Sequence, residues 1–453
     1  MPSARPLRPH LLVADAQGNI YDHPDLLMVC RRGDQWGLPR PDELIPLPPE
    51  SEIFLLPGRR AAGLNEESGD IEVQEDLAVA AFAAPAHTIT AHPAYVSDAD
   101  APVLPLFAYG AVGFARGRFY VCAKTVDSDT RQVFKDVPRA RLEKAVRTLM
   151  LQYPENRLIQ HIMSQCVLRY DCPAARNFAL GRYEAPLPVS RVCNARCVGC
   201  ISQQEEGSPI VSTPQCRLNF CPSPQEIVEL MQHHAAQETE HPIYSFGQGC
   251  EGEPLTEAAT LIEAVRLFRA AGGKGTINCN SNASYTDAVI ALAEAGLSSL
   301  RVSMNSARED AYTCYYRPKG YTLANVRASM VEARKRGVFV SLNLLYFPGV
   351  TDTEEEIAAL GELVGSTGVS FIQLRNLNID PEMYLGVLTK VVLGPSVGFT
   401  NFKKRLRKLC PWLKFGYFNP YVGDKAVLEA PMPGVWKAPV PTVPSEMEDD
   451  HAE

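Results

Sequence analysis

Three cysteines fall within eight residues in Arg191-Val-Cys193-Asn-Ala-Arg-Cys197-Val-Gly-Cys200, the stretch of sequence that decides the fold. This stretch adjoins the apolar run Leu187 to Val192, which predicts a β-strand. Thiolates on one loop can converge on one metal centre, and they suit iron–sulfur clusters or zinc. A structural zinc site usually takes four protein ligands, whereas three thiolates leave one iron of a cubane cluster open. The count of three therefore favours an open, reactive metal site, and scattered core thiols are the alternative.

The sequence from about Ala185 onward alternates short apolar runs with amphipathic helical segments, which predicts repeated βα units and a parallel sheet. Six units over about 190 residues indicate a partial barrel, since a closed eight-unit barrel typically needs about 250. We therefore predict an α/β fold, a partial (β/α)6 TIM-like barrel with an N-terminal antiparallel β-rich domain and a helical connector. The candidate strands are Leu187 to Val192, Pro242 to Phe246, Gly275 to Cys279, Ser299 to Met304, Val338 to Leu345 and Val369 to Leu374.

Five segments follow from the patterning along the chain. Short β-branched and aromatic runs between turn residues predict a β-rich domain over 1–135, and helical spacing predicts the connector over 136–184. The partial barrel is assigned to 185–385 and a C-terminal extension to 386–430. The Pro-rich, acidic composition of 431–453 predicts a disordered tail.

The composition of the 453 residues is that of a globular protein, with 46% hydrophobic and 21% charged residues. A formal net charge of −8 provides no broad positive field, so duplex DNA is an unexpected partner. Because no run of about 20 apolar residues and no signal-peptide core occur, we expect a cytoplasmic protein with no membrane partner. Thirteen cysteines in such a chain indicate reduced thiols with some metal or redox role rather than a disulfide framework.

The C-x₃-C-x₂-C spacing at the end of a first predicted strand resembles the radical S-adenosylmethionine (SAM) superfamily, over roughly Ala185 to Asp380. The resemblance implies that Cys193, Cys197 and Cys200 bind three irons of a [4Fe–4S] cluster and that SAM chelates the fourth. One position departs from the family pattern. The residue before the last cysteine, commonly aromatic and packed near the adenine, is Gly199 here.

Further elements follow the later predicted strands in the order that the family has them. Gly252-Glu253-Pro254 matches the family's Gly-Gly-Glu-Pro element, which contacts the methionyl amine of SAM, although Glu251 replaces its first glycine. Polar side chains at the C-terminal rim of a βα barrel are where ligand contacts lie, and each could instead be an ordinary loop cap. The cofactor-binding residues that the resemblance implies are Gly252, Glu253, Asn280, Ser303, Asn305, Asn343 and Arg375.

Additional cysteines flank the triplet and could hold a second cluster or a zinc ion. Their alternative is the ordinary one of core thiols, because unpaired cysteines are usually buried packing residues. The candidates for such an auxiliary metal are Cys166, Cys172, Cys216 and Cys221.

The resemblance implies an enzyme that reductively cleaves SAM at a [4Fe–4S] cluster, giving a 5′-deoxyadenosyl radical that abstracts hydrogen from an unidentified substrate. It also implies a reductant protein such as a flavodoxin or ferredoxin. One alternative is a non-enzymatic zinc or iron–sulfur protein whose cysteines hold a binding surface together. Another is a catalytically degenerate relative, which Gly199 and Glu251 suggest. The motifs identify no residue that acts on the substrate.

Overall fold

The computed structural model describes residues 7–210, 215, 217–238, 240–422 and 429–437. Antiparallel sheets form its N-terminal part, helices follow, and a parallel sheet with alternating helices forms the rest. The predicted fold class, a partial α/β barrel preceded by a β-rich region and a helical connector, is confirmed. The exact bounds of the five segments stay a prediction.

Nine N-terminal strands form one antiparallel sheet in the order β10-β6-β2-β1-β7-β11-β12-β5, with β8 paired to β12. Strands β3, β4 and β9 form a smaller sheet. The long hairpin β6–β7 turns at Asn65, whose side-chain oxygen accepts from the backbone N–H groups of Glu67 and Ser68. The strands are β1 (His10–Ala14), β2 (Ile20–Met28), β3 (Cys30–Arg32), β4 (Gln35–Gly37), β5 (Leu44–Pro46), β6 (Glu52–Asn65), β7 (Ile71–Phe82), β8 (His87–Ile89), β9 (His92–Pro93), β10 (Tyr95–Ser97), β11 (Gly110–Ala115) and β12 (Arg118–Thr125).

The connector consists of helices that pack against the outside of the parallel sheet. Leu142, Val146 and Leu149 recur at helical spacing and are buried, as an amphipathic helix requires. Leu149 and Phe178 belong to the same apolar core as Phe246 of the parallel sheet. The elements are α1 (Arg139–Gln152), α2 (Arg157–His161), a π-helical segment (Ile162–Val167) and α3 (Pro173–Ala179).

Seven parallel strands follow in sequence order, β13 to β19, each hydrogen-bonded to the next. The strands are β13 (Glu184–Leu187), β14 (Ile243–Phe246), β15 (Thr276–Ser281), β16 (Ser299–Met304), β17 (Phe339–Tyr346), β18 (Phe371–Asn376) and β19 (Lys414–Gly416). The helices are α4 (Pro224–Gln237), α5 (Ala258–Ala270), α6 (Thr286–Ala295), α7 (Glu309–Tyr316), α8 (Leu323–Lys335), α9 (Glu354–Thr367), α10 (Pro381–Val387) and α11 (Phe399–Leu409).

Two details of this sheet differ from the sequence prediction. The first strand ends at Leu187 rather than beginning there, because Pro188 follows and the N–H groups of Val189 and Ser190 donate to the Glu251 carboxylate. The sheet also gains β19, a strand of three residues that is too short to show any periodicity in sequence.

Polar side chains fill the interior of the partial barrel, because alternate residues of each strand point inward. Arg301 donates to Gln373 at 2.6 Å, and Gln373 donates to Asn419 at 2.9 Å. Asn419 in turn donates to Glu184 at 2.7 Å and to Ser245 at 3.3 Å. The segment after β19 therefore links the first two strands of the barrel to the sixth.

The N-terminal sheet packs against the end of β18 and the segment after it. Thr88 donates to the Leu374 carbonyl, and the Ile89 N–H donates to the Asn376 side chain, each at 2.9 Å. Arg59 and Asp380 form an ion pair at 2.9 Å, with side chains only 3% and 2% exposed. The N-terminal sheet is thus fixed to the strand end that borders the barrel mouth.

Among the described residues, no helix is long and apolar enough to cross a membrane.

Candidate active site

The cysteine loop borders a cavity of about 420 Å³ at the C-terminal ends of the strands. Cys193, Cys197 and Cys200 are half-buried and all line it. The loop is held from below, since the N–H groups of Arg196 and Val198 donate to carbonyls at the end of α7, each at 3.0 Å. These backbone bonds fix the path of the loop without using the thiols, which stay directed at the cavity.

The three thiols have different electrostatic surroundings. Burial raises the pKa of Cys193, and it raises the pKa of Cys197 well above the ordinary range. Burial acts in the same direction on Cys200, but hydrogen bonds from Ser202 and from backbone N–H groups, together with the Arg217 guanidinium, lower its pKa overall. Buried thiols of this kind lose their protons when a bound metal stabilises the thiolate.

The described residues bring no three His, Cys, Asp or Glu side chains together in a group that could hold a metal ion. The thiols of a cubane cluster bind different irons, so a cluster needs no such convergence on one point. A closed four-ligand zinc site, by contrast, requires it.

The loop after β14 approaches the cysteine loop very closely at Gly252. The Gly252 N–H donates to the Ser190 carbonyl at 3.0 Å, and a Cβ placed on Gly252 would lie 1.9 Å from the Val192 carbonyl oxygen. Gly247 is similar, because a Cβ there would lie 1.8 Å from the Asn280 carbonyl oxygen. Only glycine fits at these two positions, because backbone carbonyls of neighbouring segments fill the space that a side chain would take.

The two glutamates of this loop are buried and already engaged. Glu253 accepts from the Asn282 N–H at 2.8 Å, from the Leu255 N–H at 3.1 Å and from the Ser281 hydroxyl. Burial raises its pKa to about 7, and these three donors oppose the shift. A carboxylate has about four acceptor positions, so Glu253 keeps room for one further donor from the cavity.

Glu251 stands where the family pattern has glycine, and its carboxylate holds two loops together. One oxygen accepts from the N–H groups of Val189 at 2.7 Å and Ser190 at 2.9 Å. The other accepts from Gly247 at 2.7 Å and Gln248 at 2.9 Å. Burial raises the pKa of Glu251 to about 7, against the effect of these four donors. The departure from the family pattern therefore has a structural role.

Four of the predicted strand-end contacts line the cavity: Asn280, Ser303, Asn343 and Arg375. Asn280 and Asn343 each carry a buried side-chain atom without a hydrogen-bond partner, the amide nitrogen and the amide oxygen respectively. Asn305 is placed elsewhere. It is fully buried, does not border the cavity, and donates to the Ala311 carbonyl and the Tyr384 hydroxyl at 3.1 Å. The structure therefore does not bring Asn305 together with the other predicted residues.

Residues 187–361 match the family model described as the Radical SAM superfamily. The chain carries a radical SAM superfamily domain. No match is found among curated proteins.

Three solved structures are partly similar to the chain. They are the crystal structure of HydG, a maturase of the [FeFe]-hydrogenase (15% identity, 63% of this chain and 67% of that chain, TM-score 0.36), that of methylornithine synthase PylB (12%, 61% and 71%, 0.35), and that of a radical SAM methyltransferase from Sphaerobacter thermophilus (16%, 54% and 69%, 0.35).

Arg217 and Arg301 also line the cavity of the radical SAM domain, and the sequence motifs did not single them out. Arg217 is near the thiols, with one nitrogen 3.8 Å from the Cys200 sulfur. Arg301 lies two residues before Ser303 in β16 and therefore on the same inward face. Its charge at an inward strand position was the signal that could have identified it.

The three auxiliary candidates that the structure describes do not lie together as one group. The neighbouring Cys166 thiol, followed by burial, raises the pKa of Cys250 well above the ordinary range. Burial raises the pKa of Cys172 to about 11, and the nearby Cys250 acts in the same direction. Cys221 interacts instead with Glu257 and Arg191. Cys216 lies outside the described residues. The auxiliary metal site therefore stays a prediction.

Tyr315 occupies the space next to Gly199 in the radical SAM domain. A Cβ on Gly199 would lie 2.9 Å from the Tyr315 hydroxyl oxygen, which is tighter than ordinary packing. We expect Gly199→Ala to lower the free energy of unfolding by about 1–3 kcal/mol, because overpacking forces neighbours to move. In a Tyr315→Phe background, which lacks that oxygen, the same change should cost less than half as much. Urea unfolding of the four proteins measures both costs, and strictly additive losses would contradict the contact.

Proposed function

We propose that this protein is a radical SAM enzyme in which Cys193, Cys197 and Cys200 bind a [4Fe–4S] cluster and the cavity beside them binds SAM. A bound cluster would supply one electron that cleaves SAM to methionine and a 5′-deoxyadenosyl radical, which then takes a hydrogen atom from the substrate. The observation that carries the proposal is one cavity lined by three thiols, by the Gly252 turn and by two asparagines with unpartnered amide atoms.

The residues around the cavity have matching roles in this proposal. Gly252 would present backbone to the methionyl part of SAM, and Glu253 would accept from its ammonium group through its remaining acceptor position. Asn280, Ser303 and Asn343 are suited to hydrogen-bond the ribose or carboxylate. The side chains of the barrel interior below them are hydrogen-bonded to one another. They would leave little room for water and would hold the substrate next to the radical.

A reductant protein such as a flavodoxin or ferredoxin is part of the proposal. A second opening of about 860 Å³ lies on the other side of the cysteine loop. Two acidic side chains, Glu205 and Glu206, line this opening. The basic side chains that line it are more numerous: Arg191, Arg196, Arg217, Arg317 and Lys319. On a chain of net charge −8, a local basic surface beside the thiols suits an acidic electron carrier.

The test is anaerobic reconstitution with iron and sulfide, chemical reduction, addition of SAM, and measurement of 5′-deoxyadenosine. We expect the Cys193/Cys197/Cys200→Ala variant to lose iron–sulfur absorbance and to reduce product formation by about 100-fold or more, since the thiolates are the only proposed ligands of the cluster. Cys314→Ala, which removes a half-buried thiol on α7, should leave both readouts unchanged.

The other outcomes separate the alternatives. Tightly bound zinc with no cluster would reject the enzyme in favour of a non-enzymatic zinc protein. A cluster that binds SAM without cleaving it, in the presence of cell extract as a source of substrate, would identify a degenerate relative.

A further inference from the structure

Two arginines lie inside the barrel and border the same cavity. Arg301 on β16 and Arg375 on β18 both line the cavity, and among the residues that the structure describes neither forms an ion pair. Arg375 donates to the Tyr417 carbonyl at 3.2 Å and lies over the Tyr417 ring at 3.9 Å. Arg301 donates to Gln373 through one terminal nitrogen, while its buried Nε has no partner. Two guanidinium groups are therefore left with unused donors.

The two charges affect each other. Burial, followed by repulsion from Arg375, lowers the pKa of Arg301 to about 9, and Glu184 acts in the opposite direction. One oxygen of Glu184 accepts from the Asn419 amide at 2.7 Å, and Glu184 forms no ion pair with Arg301. Unpaired cations at a poorly solvated site are costly, so the arrangement is stabilised when an anion binds between them.

Neighbouring side chains extend the same donor surface. Asn280 is the direct strand neighbour of Arg301, and its amide nitrogen has no hydrogen-bond partner. The two glutamates that line this cavity, Glu251 and Glu253, have their carboxylates bound to N–H and hydroxyl donors of the loops, as described above. The inner end of the cavity is consequently rich in donors and positive charge.

We propose that Arg301 and Arg375 bind a carboxylate or phosphate group of the substrate at the inner end of the cavity. This inference rests on the proposed function and specifies its substrate class, a small molecule with an oxyanion. The planar fork of a guanidinium matches either group through two parallel hydrogen bonds. Because Arg301 lies two residues deeper in β16 than Ser303, the anion would anchor one end of the substrate and leave the other near SAM.

The experiment uses the full-length, cluster-reconstituted protein without oxygen. Inorganic phosphate and succinate serve as separate probes at constant ionic strength, and the thermal unfolding midpoint is followed against their concentration. We expect at least one probe to raise the midpoint with saturation, because it binds only the folded protein. In Arg301→Gln and Arg375→Gln the half-saturating concentration should rise about tenfold or more. Arg266→Gln, at an exposed position on α5, is the matched control and should behave as wild type.

Arg301→Lys keeps the charge but loses the fork, so its half-saturating concentration should fall between those of wild type and Arg301→Gln. If Arg301→Gln fails to fold, the comparison of Arg301→Lys with wild type still tests the role of the guanidinium. No saturable effect in wild type, or equal concentrations in wild type and both glutamine variants, would overturn the proposal.

The carboxylate of SAM is another oxyanion that Arg301 could bind. Retention of SAM, measured by equilibrium dialysis, distinguishes this role from substrate binding. We expect Arg301→Gln to change SAM affinity by no more than about twofold. A loss of about tenfold would assign Arg301 to the SAM carboxylate and overturn the substrate role. If wild type itself fails to retain SAM, the proposed function fails, while the phosphate and succinate titrations still decide whether the arginine site exists.

Discussion

Glu251→Ala is expected to lower the free energy of unfolding by about 4 kcal/mol or more, because it removes the acceptor of two buried and two half-buried N–H groups. Each such group left without a partner costs about 1–3 kcal/mol. The loss should be local at first. The loop that contains Gly247 and Gln248 would separate from Val189 and Ser190, and the glycine turn beside the cavity would lose its position. SAM retention should fall along with stability.

Glu251→Gln is the matched control for this prediction. Its single side-chain oxygen can keep either the Val189 and Ser190 pair or the Gly247 and Gln248 pair, while its NH₂ group faces the other pair as a donor. We therefore expect about half of the alanine effect. Urea unfolding gives the free energies, and hydrogen exchange should show loss of protection at both pairs in the alanine variant but at one pair in the glutamine variant. Equal stability of the two variants would contradict the role of the carboxylate.

Asp380→Ala is expected to cost about 3–5 kcal/mol, because it leaves the Arg59 guanidinium buried without its counter-charge. The change also removes the acceptor of the Leu104 N–H at 2.8 Å and the N-terminal cap of α10. Urea unfolding of the wild-type and Asp380→Ala proteins measures the loss of free energy. The N-terminal sheet of the variant should also become more susceptible to limited proteolysis.

Two controls separate the parts of this effect. Asp380→Asn keeps the oxygen that caps α10 but replaces the oxygen that accepts from Arg59 and Leu104, so its cost reports on the ion pair and on the Leu104 hydrogen bond. Arg327→Ala breaks an exposed ion pair with Glu362 and should cost less than about 1 kcal/mol. If Asp380→Ala costs no more than Arg327→Ala, the buried pair does not hold the two regions together.

The sequence was most informative where chemistry requires particular residue types at short spacing. The cysteine triplet and Gly252 could be predicted because three thiols in eight residues and a glycine turn after a strand are visible without the fold. The βα alternation predicted the parallel sheet for the same reason, since its period is local. Asn305 follows the same strand-end pattern, and only packing against Tyr384 distinguishes it from its neighbours.

Other parts of the site depend on contacts between distant segments. Tyr315 fills the space beside Gly199 from a helix more than a hundred residues later, and Asn419 reaches the barrel interior from beyond the last strand. Glu251 was recognised only as a departure from a pattern, because its four donors come from two separate loops. Such contacts produce no periodic pattern in the sequence, because they depend on which loops lie next to each other in the folded chain.

The attachment of Arg59 to Asp380 also has a consequence for how the chain is made. The two residues are separated by 321 positions, and Thr88 likewise meets Leu374 286 positions later. At a synthesis rate of about 5–20 residues per second, the emerging N-terminal sheet would wait about 15–60 s for its docking surface. During translation this β-rich region must therefore stay folded, or be shielded, on its own. Nascent chains arrested before Asp380 should accordingly be degraded or captured by chaperones more readily than chains arrested after α11.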